Sequence, residues 1–293
     1  MHSVLANGAE IPAIGFGSYG MNREQMLRMI PAALKAGFRH FDTAQVYRNE
    51  AEVGECAQAS GIARSDLFLT TKVWISNYHP RLFTRSVDDS MAKLRTDYID
   101  LLLLHWPGGS DVPLAEQIGA LAETVRAGKA RHIGVSNFNA RQMAEAVALS
   151  DVPLATNQYE YHPFLNQAAL NQATRNCGMA VTAYCGMAVG RVFGNPAIEE
   201  IAREHSRSAA QVVLRWLVQQ DRVIALSRTV NPMRAAENAA IFDFELSTAE
   251  METIHGLADD NSRIVNPPGL APIWDPTPAV GHAPLNNASA ALG

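Results

Sequence analysis

Apolar positions change spacing repeatedly along this chain, and always in the same order. Residues 3–5 and 9–11 flank Asn7-Gly8, a strong short signal for a two-stranded hairpin. Ile14-Gly15-Phe16-Gly17 then reads as a strand, and a helical period runs from Asn22 until Gly37. Residues 39–42 form the next strand-type run and 49–60 the next helical one. Further strands are predicted at 67–73, 98–104, 132–135, 155–158, 180–183 and 223–226. Each is followed by a helical period: at 80–93, at 113–127, from 140, from 168, at 196–205 with 208–220, and at 233–241. A last helix is predicted over 248–257. The apolar run at 98–104 has the character of a strand covered on both faces in a parallel sheet.

Eight strand–helix pairs with no second zone of composition predict an α/β fold. The simplest architecture is a closed (β/α)8 TIM barrel with an N-terminal β-hairpin lid and a C-terminal helix and loop, one domain over residues 1–280. The small and polar residues 281–293 predict a disordered tail.

Composition narrows the picture further. At 293 residues and 47% hydrophobic, the chain can bury a large core. Its formal net charge of -5 gives no reason to expect a nucleic acid or an anionic membrane as partner. Cys56, Cys177 and Cys185 are too few and too scattered for a disulfide framework, and no zinc-type Cys/His spacing occurs, so no metal is expected. No signal peptide is visible at the N-terminus and no apolar run is long enough to span a bilayer, so a cytoplasmic protein is expected, with monomer as the default state.

A barrel keeps its chemistry at the C-terminal ends of its strands. The polar residues there are Asp42 and Tyr47, Lys72, His105, Ser136 with Asn137, Gln158, Tyr184, and Arg228 with Thr229. Singly, each has a plainer role: an Asp caps a helix, a Lys is solvated, a Tyr or His is packed in a core. Lys72 and His105, however, end strands that are otherwise largely apolar, and a barrel interior accepts a lysine only when it is paired. Asp42 is the available partner, so Asp42, Tyr47, Lys72 and His105 on adjacent strands are expected to converge.

Phe41-Asp42-Thr43-Ala44 with Tyr47-Arg48-Asn49-Glu50, then Lys72-Val73-Trp74 and Leu104-His105-Trp106-Pro107, resemble the aldo-keto reductases, in particular the compact prokaryotic type. Gly134-Val135-Ser136-Asn137-Phe138, Asn157-Gln158-Tyr159-Glu160-Tyr161-His162 and Glu237-Asn238 continue the resemblance, which runs from about residue 3 to 276. It implies a barrel enzyme that uses NADP(H) to reduce the carbonyl of a small molecule. Carried over by position, Tyr47 becomes the general acid, with a pKa lowered by Lys72 in its pair with Asp42, and His105 orients the carbonyl. Ser136, Asn137 and Gln158 would bond the nicotinamide carboxamide and Tyr184 would stack on its ring. Gly17, Ser18, Asp42, Cys185, Arg228, Thr229, Arg234, Glu237 and Asn238 complete the implied cofactor contacts. Tyr19, Trp74 and Trp106, with Ile273 or Trp274, would wall the substrate pocket beside Tyr47 and His105. The chain departs from the family where Ser227-Arg228-Thr229 replaces the frequent Pro-Lys-Ser, and where Gly186-Met187 replaces Pro-Leu.

Two other readings compete. Gly15-Phe16-Gly17-Ser18-Tyr19-Gly20 is a literal GxGxxG with Asp42 ending the next strand, the outline of a Rossmann dehydrogenase. Its last glycine nevertheless precedes the predicted helix, and no tyrosine has a lysine four residues on, as a short-chain dehydrogenase needs. The other is a reductase-like regulatory subunit that binds NADPH without turnover; retention of all four catalytic residues argues against it.

Overall fold

The computed structural model describes residues 2–259 and 262–275; the predicted tail at 281–293 lies outside the described residues. Strands β1 (Ser3–Ala6) and β2 (Ala9–Pro12) form the predicted hairpin, with Asn7 and Gly8 both left-handed at φ 45° and 83°. Eight parallel strands then close into a barrel. They are β3 (Ile14–Gly17), β4 (His40–Asp42), β5 (Phe68–Val73), β6 (Ile99–Leu104), β7 (Ala130–Ser136), β8 (Leu154–Glu160), β9 (Ala180–Tyr184) and β10 (Val223–Ser227). Closure comes from β10 pairing with β3, Ala225 opposite Ile14. The Rossmann outline is thereby overturned: its two strands belong to a closed barrel, and the helix after Gly20 starts only at Arg23.

The helices are α1 (Arg23–Lys35), α2 (Glu50–Ala59), α3 (Pro80–Leu94), α4 (Leu114–Arg126), α5 (Ala140–Leu149), α6 (Ala168–Asn176), α7 (Pro196–Glu204), α8 (Ala209–Val218), α9 (Pro232–Ala239) and α10 (Thr248–His255). Their starts follow sequence chemistry. Asn22, Asn139, Ser208 and Ser247 each close a capping box with the Gln or Glu three residues on. Met26, Met29, Ile30, Ala33 and Leu34 give α1 the i, i+3, i+4, i+7 stripe that packs on the barrel. Among the described residues no helix is long and apolar enough to cross a membrane.

Alternation along the strands sorts the interior into layers. At the N-terminal end, Phe68, Leu101, Ala180 and Ile224 pack with Ala9 and Ile11 of the hairpin, which plugs that mouth. Above them His40 Nε2 lies 3.0 Å from Thr70 Oγ1, and the Thr156 and Thr182 hydroxyls bond at 2.8 Å. Gly15 leaves the room that His40 fills, since a Cβ there would lie 2.7 Å from its Nδ1. One layer higher stand Asp42, Lys72, His105 and Gln158, at the barrel end opposite the hairpin.

Burial pulls the His40 imidazole down to about 4, against the attraction of Asp42. Below the unfolded value of about 6.5 the unfolded chain takes up a proton that the native chain refuses, so stability falls with falling pH until the native imidazole also charges. Urea midpoints at about pH 7 and about pH 5 should show this loss, of which His40 contributes up to about 1.4 kcal/mol per pH unit below 6.5, and His40→Gln should remove that share. Equal slopes in the two proteins would remove His40 as the cause.

Candidate active site

The open mouth is organised around one ion pair. Lys72 Nζ donates to Asp42 Oδ1 at 2.5 Å and to Thr43 O at 2.9 Å, with both charged side chains almost wholly buried. The other carboxylate oxygen, Asp42 Oδ2, accepts from Gln158 Nε2 at 2.8 Å. The pair thus joins β4, β5 and β8 across the barrel. Burial lowers the Lys72 ammonium, and the charge and hydrogen bond of Asp42 oppose that shift.

Tyr47 ends a one-turn 3-10 helix (Gln45–Tyr47) after β4, half-buried at the mouth. Lys72 Nζ lies 5.2 Å from its ring centroid, and the His105 ring stands edge-on to it at 5.6 Å. The four residues expected to converge do so. The expected effect of Lys72 on Tyr47 is not found: burial holds the Tyr47 hydroxyl well above the usual phenol range, and the negative charge of Asp42 adds to the shift. The reason is local neutralisation, since the ammonium spends its field on a carboxylate in direct contact. His105 is pushed well below the usual imidazole range, by burial first and by Lys72 second, and its Nδ1 has no hydrogen-bond partner. The site therefore offers a neutral imidazole and a protonated phenol side by side.

The cofactor candidates form a second group. Asn137, left-handed at φ 65°, donates from Nδ2 to His105 O and to Ser136 Oγ, both at 3.0 Å, and accepts from the Tyr184 hydroxyl at 2.7 Å. Ser136 Oγ donates to Gln158 O at 2.9 Å. Beyond Gly17 and the buried Ser18, the exposed Arg228 donates through Nε to Tyr19 O at 2.9 Å. Gly20 beside it is left-handed at φ 69°, a backbone conformation that favours glycine. Thr229 Oγ1 accepts from Asn231 N, and Asn238 Nδ2 donates to Ser227 Oγ at 2.9 Å, while Arg234 and Glu237 are exposed on α9. Cys185, its thiol pushed up to about 11 mainly by burial, opens a loop in which Ala188, Val189 and Gly190 are also left-handed. A β-branched residue such as Val189 adopts that conformation only under strain.

On the substrate side, Tyr19 is exposed and stacks edge-on to Tyr47 at 5.1 Å, and Trp74 does the same to His105 at 5.2 Å. Trp106, by contrast, is only 6% exposed, and its backbone is gripped by the buried Tyr78 hydroxyl, which donates to Trp106 O and accepts from Trp106 N. Ile273 is 92% exposed, whereas the Trp274 ring lies under the Arg263 guanidinium.

Sequence reasoning passed over several supporting residues. Gln45 Oε1 accepts from Trp74 N and Asn77 Nδ2, both at 2.9 Å, and so ties the Tyr47 turn to the loop after β5. Asn49 Nδ2 donates to Ser18 O and Met21 O while its Oδ1 accepts from Thr43 Oγ1, linking the loops after β3 and β4. A buried Glu160–His162 pair follows the same strand as Gln158. Two ionisable residues spaced by one aromatic in an apolar stretch were the available signal, because buried charges require partners.

Lys72→Met strands the Asp42 carboxylate and should cost about 3–5 kcal/mol of stability, whereas adding Asp42→Asn should recover part of that loss. Urea denaturation of the two variants measures both effects; a single variant that unfolds like the wild type would mean the pair contributes nothing.

Comparison with known proteins gives the arrangement its context. The model of the Aldo/keto reductase family matches residues 13–259. An aldo-keto reductase of Mycolicibacterium smegmatis is 41% identical over 253 residues, 86% of this chain and 89% of the relative. The methylglyoxal reductase DkgB of Yersinia pestis is 39% identical over 267 residues, covering 90% of this chain and 99% of the relative. A crystal structure of a protein provisionally assigned as a 2,5-diketo-D-gluconic acid reductase B superposes with a TM-score of 0.93 at 59% identity, over 94% of this chain and 98% of that one. With a family match over most of its length and relatives this similar, the chain belongs to the aldo/keto reductase family and is an oxidoreductase.

Proposed function

We propose that the protein reduces a neutral aldehyde, α-dicarbonyl or keto-sugar to the alcohol with NADPH. The observation that carries the reading is the meeting of a protonated Tyr47 and a neutral His105 beside the buried Asp42–Lys72 pair at the open end of the barrel. The donor set suits the cofactor. The Gln158 amide oxygen has no protein hydrogen bond among the described residues and can accept from a carboxamide, while Ser136 and Asn137 lie beside it. Among the described residues Arg228 is hydrogen-bonded through Nε alone, which leaves its two terminal nitrogens for a phosphate in paired, charge-assisted bonds. When bound, the reduced nicotinamide supplies the hydride.

The chain's own residues do the rest. Neutral His105 donates one N–H to the carbonyl oxygen and turns it toward Tyr47. The Tyr47 hydroxyl, kept protonated by burial, delivers its proton to that oxygen as negative charge develops there. Lys72, 5.2 Å from the ring and bonded to Asp42 and to Thr43 O, holds the start of the loop that carries Tyr47. The aromatic edges of Tyr19 and Trp74 narrow the mouth without a charge that would demand an anionic substrate. That the Yersinia pestis relative is named for methylglyoxal, an α-dicarbonyl, supports the substrate class.

Tyr47→Phe should keep the fold and lower kcat for aldehyde reduction by roughly 10²–10⁴-fold. Loss of cofactor absorbance by purified wild type and variant decides it, and near-equal rates would exclude Tyr47 as the acid. For cofactor choice, charge-assisted bonds from Arg228 imply a preference for NADPH over NADH of roughly 10–100-fold in kcat/KM. Arg228→Ala should erase most of that preference by raising KM for NADPH while leaving the NADH reaction almost unchanged. Equal use of both cofactors by the wild type would refute this role.

A further inference from the structure

One carboxylate that the proposed reaction does not use holds the C-terminal segment over the barrel mouth. Glu160 ends β8, completely buried. Its Oε1 accepts the N–H of Ile264 at 2.8 Å and its Oε2 that of Val265 at 2.7 Å, and His162 Nε2 lies 2.9 Å from Oε1. Burial raises this carboxyl, but the bonds from His162 and the two backbone N–H groups outweigh it and hold the group below the usual carboxylate range.

From this anchor the segment at 262–275 continues as a strap. Gly108 N donates to Leu270 O at 3.1 Å, and Asn139 Nδ2 donates to Ile273 O at 2.8 Å. The approach is close: a Cβ at Gly108 would lie 2.7 Å from both Gly269 O and Leu270 O, and one at Gly109 would lie 2.6 Å from Leu270 Cδ2. Gly108 follows His105-Trp106-Pro107, and Asn139 follows Asn137, so the strap docks on the loops that leave two site strands. Both of these docking bonds are neutral; at the far end of the strap Ala140 N also donates to Asp275 Oδ2 at 2.9 Å. The bonds to Glu160 are charge-assisted and about twice as strong as neutral ones.

We propose that Glu160 is a positioning residue for substrate selection: by fixing Ile264 and Val265 it sets where the strap lies, and with it the shape of the mouth, while taking no part in hydride or proton transfer. This rests on the carbonyl-reductase reading above. Glu160→Gln keeps size and shape but replaces one acceptor by an NH2 group, which must then face a backbone N–H. Val265→Pro removes one of the two donors from the strap side, outside the barrel core.

The test uses the full chain and two readouts. Amide hydrogen exchange at Ile264 and Val265 should accelerate by about 30-fold or more in Glu160→Gln. With NADPH saturating, KM for a bulky aromatic aldehyde relative to that for a small aliphatic one should shift by about tenfold, with kcat for the small aldehyde within about twofold of wild type. Val265→Pro should reproduce the split in KM. Unchanged exchange, faster exchange with an unchanged KM ratio, or an equal fall in kcat for both aldehydes would each overturn the proposal. A wild-type chain that reduces neither aldehyde, but whose strap is released by Glu160→Gln, would overturn the reductase reading and substrate selection with it, while upholding the anchor.

Discussion

An ammonium and a carboxylate held 2.5 Å apart inside a barrel constrain everything around them. Neither charge can remain there alone, because an unpaired buried ion costs several kcal/mol. Each partner therefore uses its remaining hydrogen-bonding capacity on the surrounding frame. Asp42 holds the Gln158 amide, and Lys72 holds Thr43 O at the start of the loop that carries Tyr47. The same ammonium helps keep His105 neutral. A buried pair is weak evidence for net stability, since apolar residues of the same volume often do as well. Its value here is geometric: it fixes the relative positions of a phenol, an imidazole and an amide that come from different strands.

The pair can sit where it does because the two ends of the barrel are unlike. The hairpin and the apolar layer of Phe68, Leu101 and Ile224 close one mouth. The next layer is polar and paired through His40 Nε2–Thr70 and Thr156–Thr182, with His40 Nδ1 left without a partner among the described residues. The third layer carries the buried ion pair, and its His105 Nδ1, without a hydrogen-bond partner among the described residues, lies at the open end. Period-2 alternation along parallel strands is enough to produce this gradient, and it leaves one end of one cavity for chemistry.

Much of this was legible in the sequence for the same reason. Strand and helix periods are local, so the eight pairs and the residues at their ends could be placed by counting, and Asp42, Lys72 and His105 stood out as polar ends on apolar strands. What could not be read depends on distant partners. Ending the sixth barrel strand at Gln158, when it runs to Glu160, hid the buried carboxylate, whose ligands lie more than a hundred residues later. The Tyr78 hydroxyl that holds the Trp106 backbone from 28 residues away left no local signal. The upward Tyr47 shift comes from burial first and the Asp42 charge second, and burial of a loop hydroxyl depends on distant elements that the local sequence does not show. Gly15 to Gly20 imitated a dinucleotide fingerprint because a barrel strand followed by a glycine-rich turn presents the same local pattern.

The site thus combines parts of unequal rigidity. Asp42, Lys72 and Gln158 sit on strands whose backbone ladders continue on both sides, and displacing any of them means breaking the barrel. The strap and the loop after β9 are attached differently, by single hydrogen bonds, one buried carboxylate, and a run of left-handed residues that includes a strained Val189. Segments held this way open locally at far lower free energy than the core. The proposed proton delivery requires atoms placed to within a fraction of an ångström, which suits a Tyr47 turn tied to the strands through Lys72–Thr43 O and Gln45–Trp74 N. Admission of a substrate and release of a cofactor require surfaces that can move, and those surfaces lie on the segments that the barrel holds at only a few points.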